Sequence, residues 1–146
     1  MPYDRLVSQG KIQQHATSRK EIASLFQIVE RELKDASIPQ LSDDKKYISA
    51  YNAILQCATI IVYCEGFKTR GEAHHYITFR FIRETLGSEH QELIDYFDSC
   101  RKKRNLADYD VAGEISEKEV KEIIAEARKF YKFTKDFVSQ NYPEYI

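Results

Sequence analysis

The stretch YISAYNAILQCATIIVYC, residues 47–64, has the densest apolar pattern of the chain. Tyr47, Tyr51, Ile54, Ala58 and Ile61 recur at intervals of three or four residues. Because an α-helix turns about 100° per residue, this spacing places their side chains on one face. The stretch therefore predicts a long amphipathic helix, the most apolar of the chain.

Four other segments show apolar spacing of the same kind, and capping motifs mark their starts. A Ser or Thr followed three residues later by Glu or Gln favours a helix start, because both side chains bind backbone amides of the first turn. Such pairs occur at Ser18/Glu21, Thr69/Glu72, Ser88/Gln91 and Ser116/Glu119, a further start is indicated at Ser42–Asp44, and helix ends are indicated near Pro39, Gly66, Gly87 and Gly113. No strand is predicted, and the short connections favour antiparallel neighbours. The expected fold is all-α, a five-helix up-and-down bundle.

Length and composition favour one domain. The chain has 146 residues, of which 42% are hydrophobic and 31% charged, enough for a single buried core. We expect a helical bundle domain over residues 17–146. Residues 1–16 show no apolar periodicity and are expected to be loosely attached.

The charge balance and the cysteines point to a soluble cytoplasmic protein. A net charge of −1 gives no general attraction to nucleic acid or membranes, so such binding would depend on a local patch. Cys57, Cys64 and Cys100 have no CxxC spacing and are expected to be reduced, buried thiols. No apolar run approaches the roughly 20 residues of a membrane span, so we expect no membrane partner.

Several chemistries lack their sequence motifs. There is no GxxxxGK[ST] or GxGxxG, so no phosphate-cradling loop is predicted. Glu72-x-x-His75 is a single copy of a unit that di-iron bundles need twice, and adjacent His74 and His75 point about 100° apart on a helix. We therefore expect neither a metal site nor a cofactor. Basic residues also follow one face of the last helix, and they are typical of solvated surface rather than of a nucleic-acid interface; they are Lys121, Arg128, Lys132 and Lys135.

The most informative polar stretch is RKKRNLADYD, residues 101–110. Leu93, Ile94 and Phe97 form an apolar stripe, and Arg101 and Arg104 continue it while Lys102 and Lys103 point elsewhere. An inward Arg needs an anion, because a buried charge without one is costly. The candidate anions are Asp108, Asp110, a partner chain or a phosphate.

At these residues the chain resembles the HEPN domains, helical bundles named for nucleotide binding in higher eukaryotes and prokaryotes. Their motif is an Arg near a helix end, often followed by Asn, then four to six residues and a His. Arg104 and Asn105 match its first part, and Tyr109 occupies the His position. Residues 51–67 and 69–75 are also similar to one prokaryotic subgroup, and the resemblance covers roughly residues 20–140.

The resemblance implies a homodimer whose paired Arg motifs meet in a groove that binds RNA or a nucleotide. In many members this groove cleaves RNA. Many also act as toxins beside a nucleotidyltransferase partner or within defence systems. The implied function is an RNA- or nucleotide-binding protein, a ribonuclease-like toxin or defence component.

Metal-independent RNA cleavage needs a base for the 2′-OH, an acid for the leaving oxygen and cations for the phosphorane. Arg104 suits the last role, with Arg101, Lys102 and Lys103 as further phosphate contacts. Tyr109 is a poor base at neutral pH, since a tyrosine titrates near pH ~10. Asp108 or Asp110 is an alternative base, Asn105 could place the phosphate, and the three other candidates for proton transfer are His74, His75 and His90.

A second interpretation stays open. Arg104 could form a structural ion-pair network with Asp108 or Asp110. The protein would then be a non-catalytic helical interaction protein whose partner supplies any chemistry.

Overall fold

The computed structural model describes residues 3–71, 73–109 and 115–146, with side chains described as far as residue 106 in the second range. Within these residues the fold has six α-helices, two three-residue strands and two 3₁₀ turns. The helices are α1 (Asp4–Ser8), α2 (Arg19–Ala36), α3 (Asp43–Cys64), α4 (His74–Leu86), α5 (Gln91–Tyr109) and α6 (Glu117–Asn141); the strands are β1 (Ile12–Gln14) and β2 (Phe67–Thr69); the 3₁₀ turns span Ser88–His90 and Pro143–Tyr145. These residues are mostly helical, in agreement with the prediction of an all-α protein, whereas the five-helix up-and-down bundle stays a prediction.

Helix α3 is the central element. It packs against α2, α4, α5 and α6. The side chains buried completely along it are Ala50, Tyr51, Ala53, Ile54, Cys57, Ala58, Ile60 and Ile61. They lie on more than one face, which explains why residues 47–64 are almost continuously apolar.

The buried position of α3 also bears on the membrane prediction. By length and composition α3 could cross a membrane, so the expectation that no stretch is long and apolar enough was wrong. However, 67% of its apolar window is buried inside the fold. A helix surrounded by its own chain in this way is typical of the core of a soluble protein.

Three of the five predicted helix starts are confirmed. The Ser18 and Ser42 hydroxyls accept hydrogen bonds from the backbone amides of Glu21 and Lys45. Ser116 and Glu119 form a complete capping box at the start of α6. These contacts satisfy amide groups that the first helical turn leaves open.

The helix starts predicted at Thr69 and Ser88 were wrong. Thr69 lies in β2, and α4 begins only at His74, after Ala73, which makes no side-chain capping bond. Ser88 is the first residue of a 3₁₀ turn that leads into α5. In both places the residue types fit a helix cap. At Thr69, however, the backbone pairs with β1, and at Ser88 the backbone forms the tighter 3₁₀ turn.

The N-terminal segment is part of the folded domain. The expectations that this segment is loosely attached and that the chain has no strand were therefore wrong. Strand β1 pairs antiparallel with β2, with Ile12 opposite Thr69 and Gln14 opposite Phe67. The Ile12 side chain is buried, as are those of Tyr3 and Leu6. Strands of three residues are too short to show an alternating pattern, so residues 1–16 gave no sequence signal for this packing.

The predicted ends of the helices are close to the observed ones. Helix α2 ends at Ala36, three residues before Pro39. Gly66 and Gly87 follow α3 and α4 with φ angles of 92° and 82°, which suit glycine. Gly113 lies outside the described residues.

The three cysteines are free and buried, as predicted. Burial raises the pKa of the Cys57 and Cys64 thiols to about 12, because the charged thiolate is disfavoured away from water. The pKa of Cys100 is also raised, again by burial. The thiols are therefore core groups that stay protonated at neutral pH.

Candidate functional site

The inward direction of Arg101 is confirmed. Its side chain is 20% exposed, and its Nε donates a hydrogen bond to Asp98 Oδ1 at 2.9 Å. Its Cζ lies 5.5 Å from the centre of the Tyr76 ring on α4. Lys102, one residue further on, is 70% exposed and lies 3.6 Å from the other oxygen of Asp98. The carboxylate that pairs with Arg101 thus comes from its own helix, one turn earlier.

Arg104 approaches the core itself. Its Nε atom is buried, and its Cζ lies 6.0 Å from the centre of the Tyr51 ring on α3. A cation over an aromatic face is attracted by the negative face of the ring. The guanidinium is therefore held at the junction of α3, α4 and α5, and the sequence pattern had predicted only its inward direction.

A surface pocket of about 400 Å³ opens beside these two arginines. Its walls are the start of α4 and the second half of α5, and its lining residues are Ala73, His74, His75, Tyr76, Arg101, Arg104 and Asn105. We call it the arginine pocket. Asn105 is exposed at its rim. Two guanidiniums and two imidazoles thus face one opening.

His75 is anchored within the arginine pocket. Its Nδ1 lies 3.2 Å from the hydroxyl group of Tyr51, and its ring stands perpendicular to that of His74, with 4.3 Å between the centres. Partial burial and the positive charges of His74, Arg104 and Arg101 lower the pKa of His75 to about 4. His75 is therefore neutral at pH 7 and can accept a proton.

Tyr51 keeps its proton at neutral pH. Burial raises the pKa of its hydroxyl group, and the charges of Arg101 and Arg104 oppose that rise. The hydroxyl can donate to Nδ1 of His75, or accept from it when Nδ1 carries the proton. In the second arrangement Nε2 of His75 is the free base.

The strand pair sets the position of this site. The Arg70 amide donates to the Lys11 carbonyl at 2.9 Å, which extends the pairing of β1 with β2 up to the turn before α4. Gly71 then has a φ angle of 87°, a conformation that favours glycine. His74 and His75 come three and four residues after Gly71. The N-terminal segment therefore helps to position these two histidines.

Lys103, a further predicted site residue, does not line the arginine pocket. Lys103 Nζ lies 3.1 Å from Glu119 Oε2 on α6, and both line a different pocket. The side chains of Asp108 and Tyr109, and all of Asp110, lie outside the described residues. The predicted ion pairs of Arg104 with Asp108 or Asp110, and the roles assigned to Tyr109, therefore stay predictions.

The other histidine candidate lies elsewhere. The His90 ring packs against Phe133 of α6, with 5.2 Å between ring centres. It does not line the arginine pocket. Among the described residues, no three His, Cys, Asp or Glu side chains come together as a metal site would require.

The basic face of α6 is engaged locally. Lys121 pairs with Glu117 at 3.3 Å, Lys132 pairs with Asp136 at 3.2 Å, and Arg128 donates to Ser37 Oγ at 2.8 Å. Lys135 lies over the Tyr131 ring at 5.1 Å. These contacts are those of a solvated surface, in agreement with the prediction.

The sequence did not single out Tyr51, Tyr76 or Asp98 as site residues, and it named His75 only among several options. Tyr51 belongs to the apolar repeat of α3 and resembles any other core residue in sequence. Its distance of 24 residues from His75 carries no local signal. Only the packing of α4 and α5 against α3 brings these side chains to the arginines.

Comparison of the chain with known protein families, with curated proteins and with solved structures gave no match.

Proposed function

We propose that this chain is a HEPN-type RNA-binding protein and that the arginine pocket binds a phosphodiester. The observation that carries the proposal is the meeting of Arg101 and Arg104 with His75 in one pocket. A guanidinium matches phosphate oxygens in geometry as well as charge. The chain has no net positive charge, so a local cluster of this kind is what RNA binding would require.

The same groups suit RNA cleavage. His75, neutral at pH 7, would take the proton of a 2′-OH while the 2′-oxygen bonds to phosphorus. Arg104 and Arg101 would stabilise the charge of the phosphorane. The bond from phosphorus to the 5′-oxygen then breaks, and the exposed His74 is the proposed proton donor to that oxygen. The products are a 2′,3′-cyclic phosphate and a 5′-hydroxyl end.

The proposal extends to the setting that the HEPN resemblance implies. The protein would act as a homodimer, as a ribonuclease-like toxin or defence component beside a nucleotidyltransferase or another partner. In this mechanism His75 of α4 takes the base role that Tyr109 fills poorly. Asp108 and Asp110 remain alternatives for that role.

Binding and cleavage of a fluorescent single-stranded RNA, measured in chelator, test the proposal. Arg104→Ala is expected to weaken binding at least tenfold, and His75→Ala to abolish cleavage while binding stays within about threefold. Arg31→Ala, an exposed arginine on α2, is the matched control and should behave as wild type. If Arg104→Ala binds RNA as the control does, the proposal is wrong.

A second candidate function is a non-catalytic interaction protein. The observation in its favour is the use of charges on α5 within the fold: Arg101 pairs with Asp98, and Lys103 with Glu119. A turn devoted to such ion pairs would stabilise the domain instead of binding a ligand. The stability of Arg104→Ala separates the two candidates.

A further inference from the structure

A second pocket adjoins the arginine pocket on the far side of Tyr76. It has a volume of about 200 Å³ and is lined by Tyr76, Phe79, Arg80, Arg83 and Asp98. Tyr76 lines both pockets, and Asp98 of the second pocket binds Arg101 of the first. The two openings are therefore neighbours joined by one aromatic side chain.

Helix α4 builds this second pocket from one face. Tyr76, Arg80 and Arg83 follow one another at intervals of four and three residues, so they lie side by side along the helix. Arg80 and Arg83 bring two positive charges to this pocket. Arg83 Nη2 lies 2.7 Å from Asp95 Oδ1, so the charge of Arg83 is paired. Among the residues that the structure describes, Arg80 has no ion-pair partner. It is thus available to an anion from outside.

The aromatic ring of Tyr76 is exposed on the surface beside this pocket. Its side chain is 46% exposed, and it is the one aromatic residue among the large apolar side chains that the described part of the chain exposes. Arg101 lies over its ring at 5.5 Å. An exposed aromatic ring beside arginines is the usual arrangement for stacking unpaired bases, since every base offers a flat face.

We infer that Tyr76 and Arg80 form a second nucleotide subsite, which takes the nucleotide next to the one bound in the arginine pocket of a single-stranded RNA. The base would stack on the exposed Tyr76 ring, and the adjoining phosphate would meet Arg80. This inference rests on the proposed function, because it places the first phosphate at Arg101 and Arg104. Single-stranded RNA is the favoured ligand, because bases held in a duplex cannot reach a side chain of this kind.

The test compares two probes, a single-stranded hexanucleotide and a nucleoside monophosphate that fills one subsite only. Tyr76→Ala is expected to weaken hexanucleotide binding about tenfold or more, a clearly larger loss than for the monophosphate. Tyr76→Phe keeps the ring and should bind the hexanucleotide as wild type does. Arg80→Gln should weaken hexanucleotide binding several-fold. It should also reduce the slope of log affinity against log salt concentration by about one, the value for one phosphate contact. Arg31→Ala again serves as the control.

The outcomes separate the two proposals. If Arg104→Ala weakens both probes while Tyr76→Ala and Arg80→Gln bind the hexanucleotide as wild type, the second subsite is wrong and the proposed function stands. If Tyr76→Ala weakens both probes equally, Tyr76 belongs to the first subsite only and the inference is overturned. A duplex of the same sequence that binds as tightly as the single strand also overturns it. If Arg104→Ala affects neither probe, both proposals fail.

Discussion

The hydroxyl group of Tyr51, on the central helix α3, lies 3.2 Å from Nδ1 of His75, at the start of α4. Tyr51 is completely buried, so its position is fixed by the core. His75 is only partly buried and faces the arginine pocket. The contact therefore ties a side chain of the pocket to a buried residue of the core, and it engages Nδ1 of His75.

Removing this hydroxyl group should affect catalysis more than binding. Tyr51→Phe keeps the aromatic ring under Arg104 and deletes only the contact to His75. We expect the free energy of unfolding to fall by about 1 kcal/mol. Cleavage should slow by roughly tenfold or more, because His75 loses the group that orients it. Tyr63→Phe, also on α3, is the control, and an equal loss of cleavage there would contradict the prediction.

Stability should depend on pH through His75. Its pKa is lowered to about 4 in the folded protein from an ordinary value of 6.5. Above pH 6.5 the ring is neutral in both states, and its contribution to stability is complete. As the pH falls towards 4, the unfolded chain gains a proton that the folded protein does not, so stability declines.

Chemical denaturation at several pH values measures this effect. We expect a loss of roughly 1–2 kcal/mol over that pH window, less than the whole shift would give, because the ring is partly exposed. His75→Gln should remove this part of the pH dependence, and His90→Gln should retain it. If the two variants show the same pH dependence as wild type, His75 is not the group responsible.

The stability of Arg104→Ala distinguishes a ligand site from a structural ion-pair network. In a ligand site, the loss of Arg104 relieves repulsion with the neighbouring Arg101, and stability should stay within about 1 kcal/mol of wild type. In a buried ion-pair network, the variant should lose about 3–5 kcal/mol. We expect the first result. Denaturant titration decides it, with Arg31→Ala as the control.

Arg104→Ala should also change the titration of His75. The Arg104 charge is one of the causes that lower the pKa of His75. Without it, that pKa should rise, because the protonated ring meets less repulsion. Histidine resonances followed by NMR across a pH series measure the shift. An unchanged His75 titration would show that the guanidinium does not act on this ring.

The N-terminal segment should contribute to stability. Leu6 is 3% exposed and Val7 is 42% exposed, so the two neighbours in α1 form a matched pair. Leu6→Ala should cost about 2–4 kcal/mol, since it leaves a cavity, and Val7→Ala less than about 0.5 kcal/mol. Thermal or chemical unfolding gives both values. Equal, small losses would show that residues 3–16 are not part of the cooperative core.

Sequence alone determined the helices that have strong local signals. The apolar repeat of residues 47–64 and the caps at Ser18, Ser42 and Ser116 specify α2, α3 and α6 through contacts within a few residues. It also determined that Arg101 points inward and Lys102 outward, because helical periodicity fixes the direction of a side chain. These properties depend on neighbours along the chain, and such neighbours can be read directly.

Only the tertiary structure decided the pairing of Ile12 with Thr69 and the approach of Tyr51 and His75 to Arg104. Each of these contacts joins residues that are far apart in sequence and leaves no periodic signal. The Tyr51 hydroxyl is a polar group on a core-facing position, and its partner becomes visible only once α4 is packed against α3. The local sequence pattern thus places the arginine motif on α5, whereas the pocket around it arises from the packing of α3, α4 and α5.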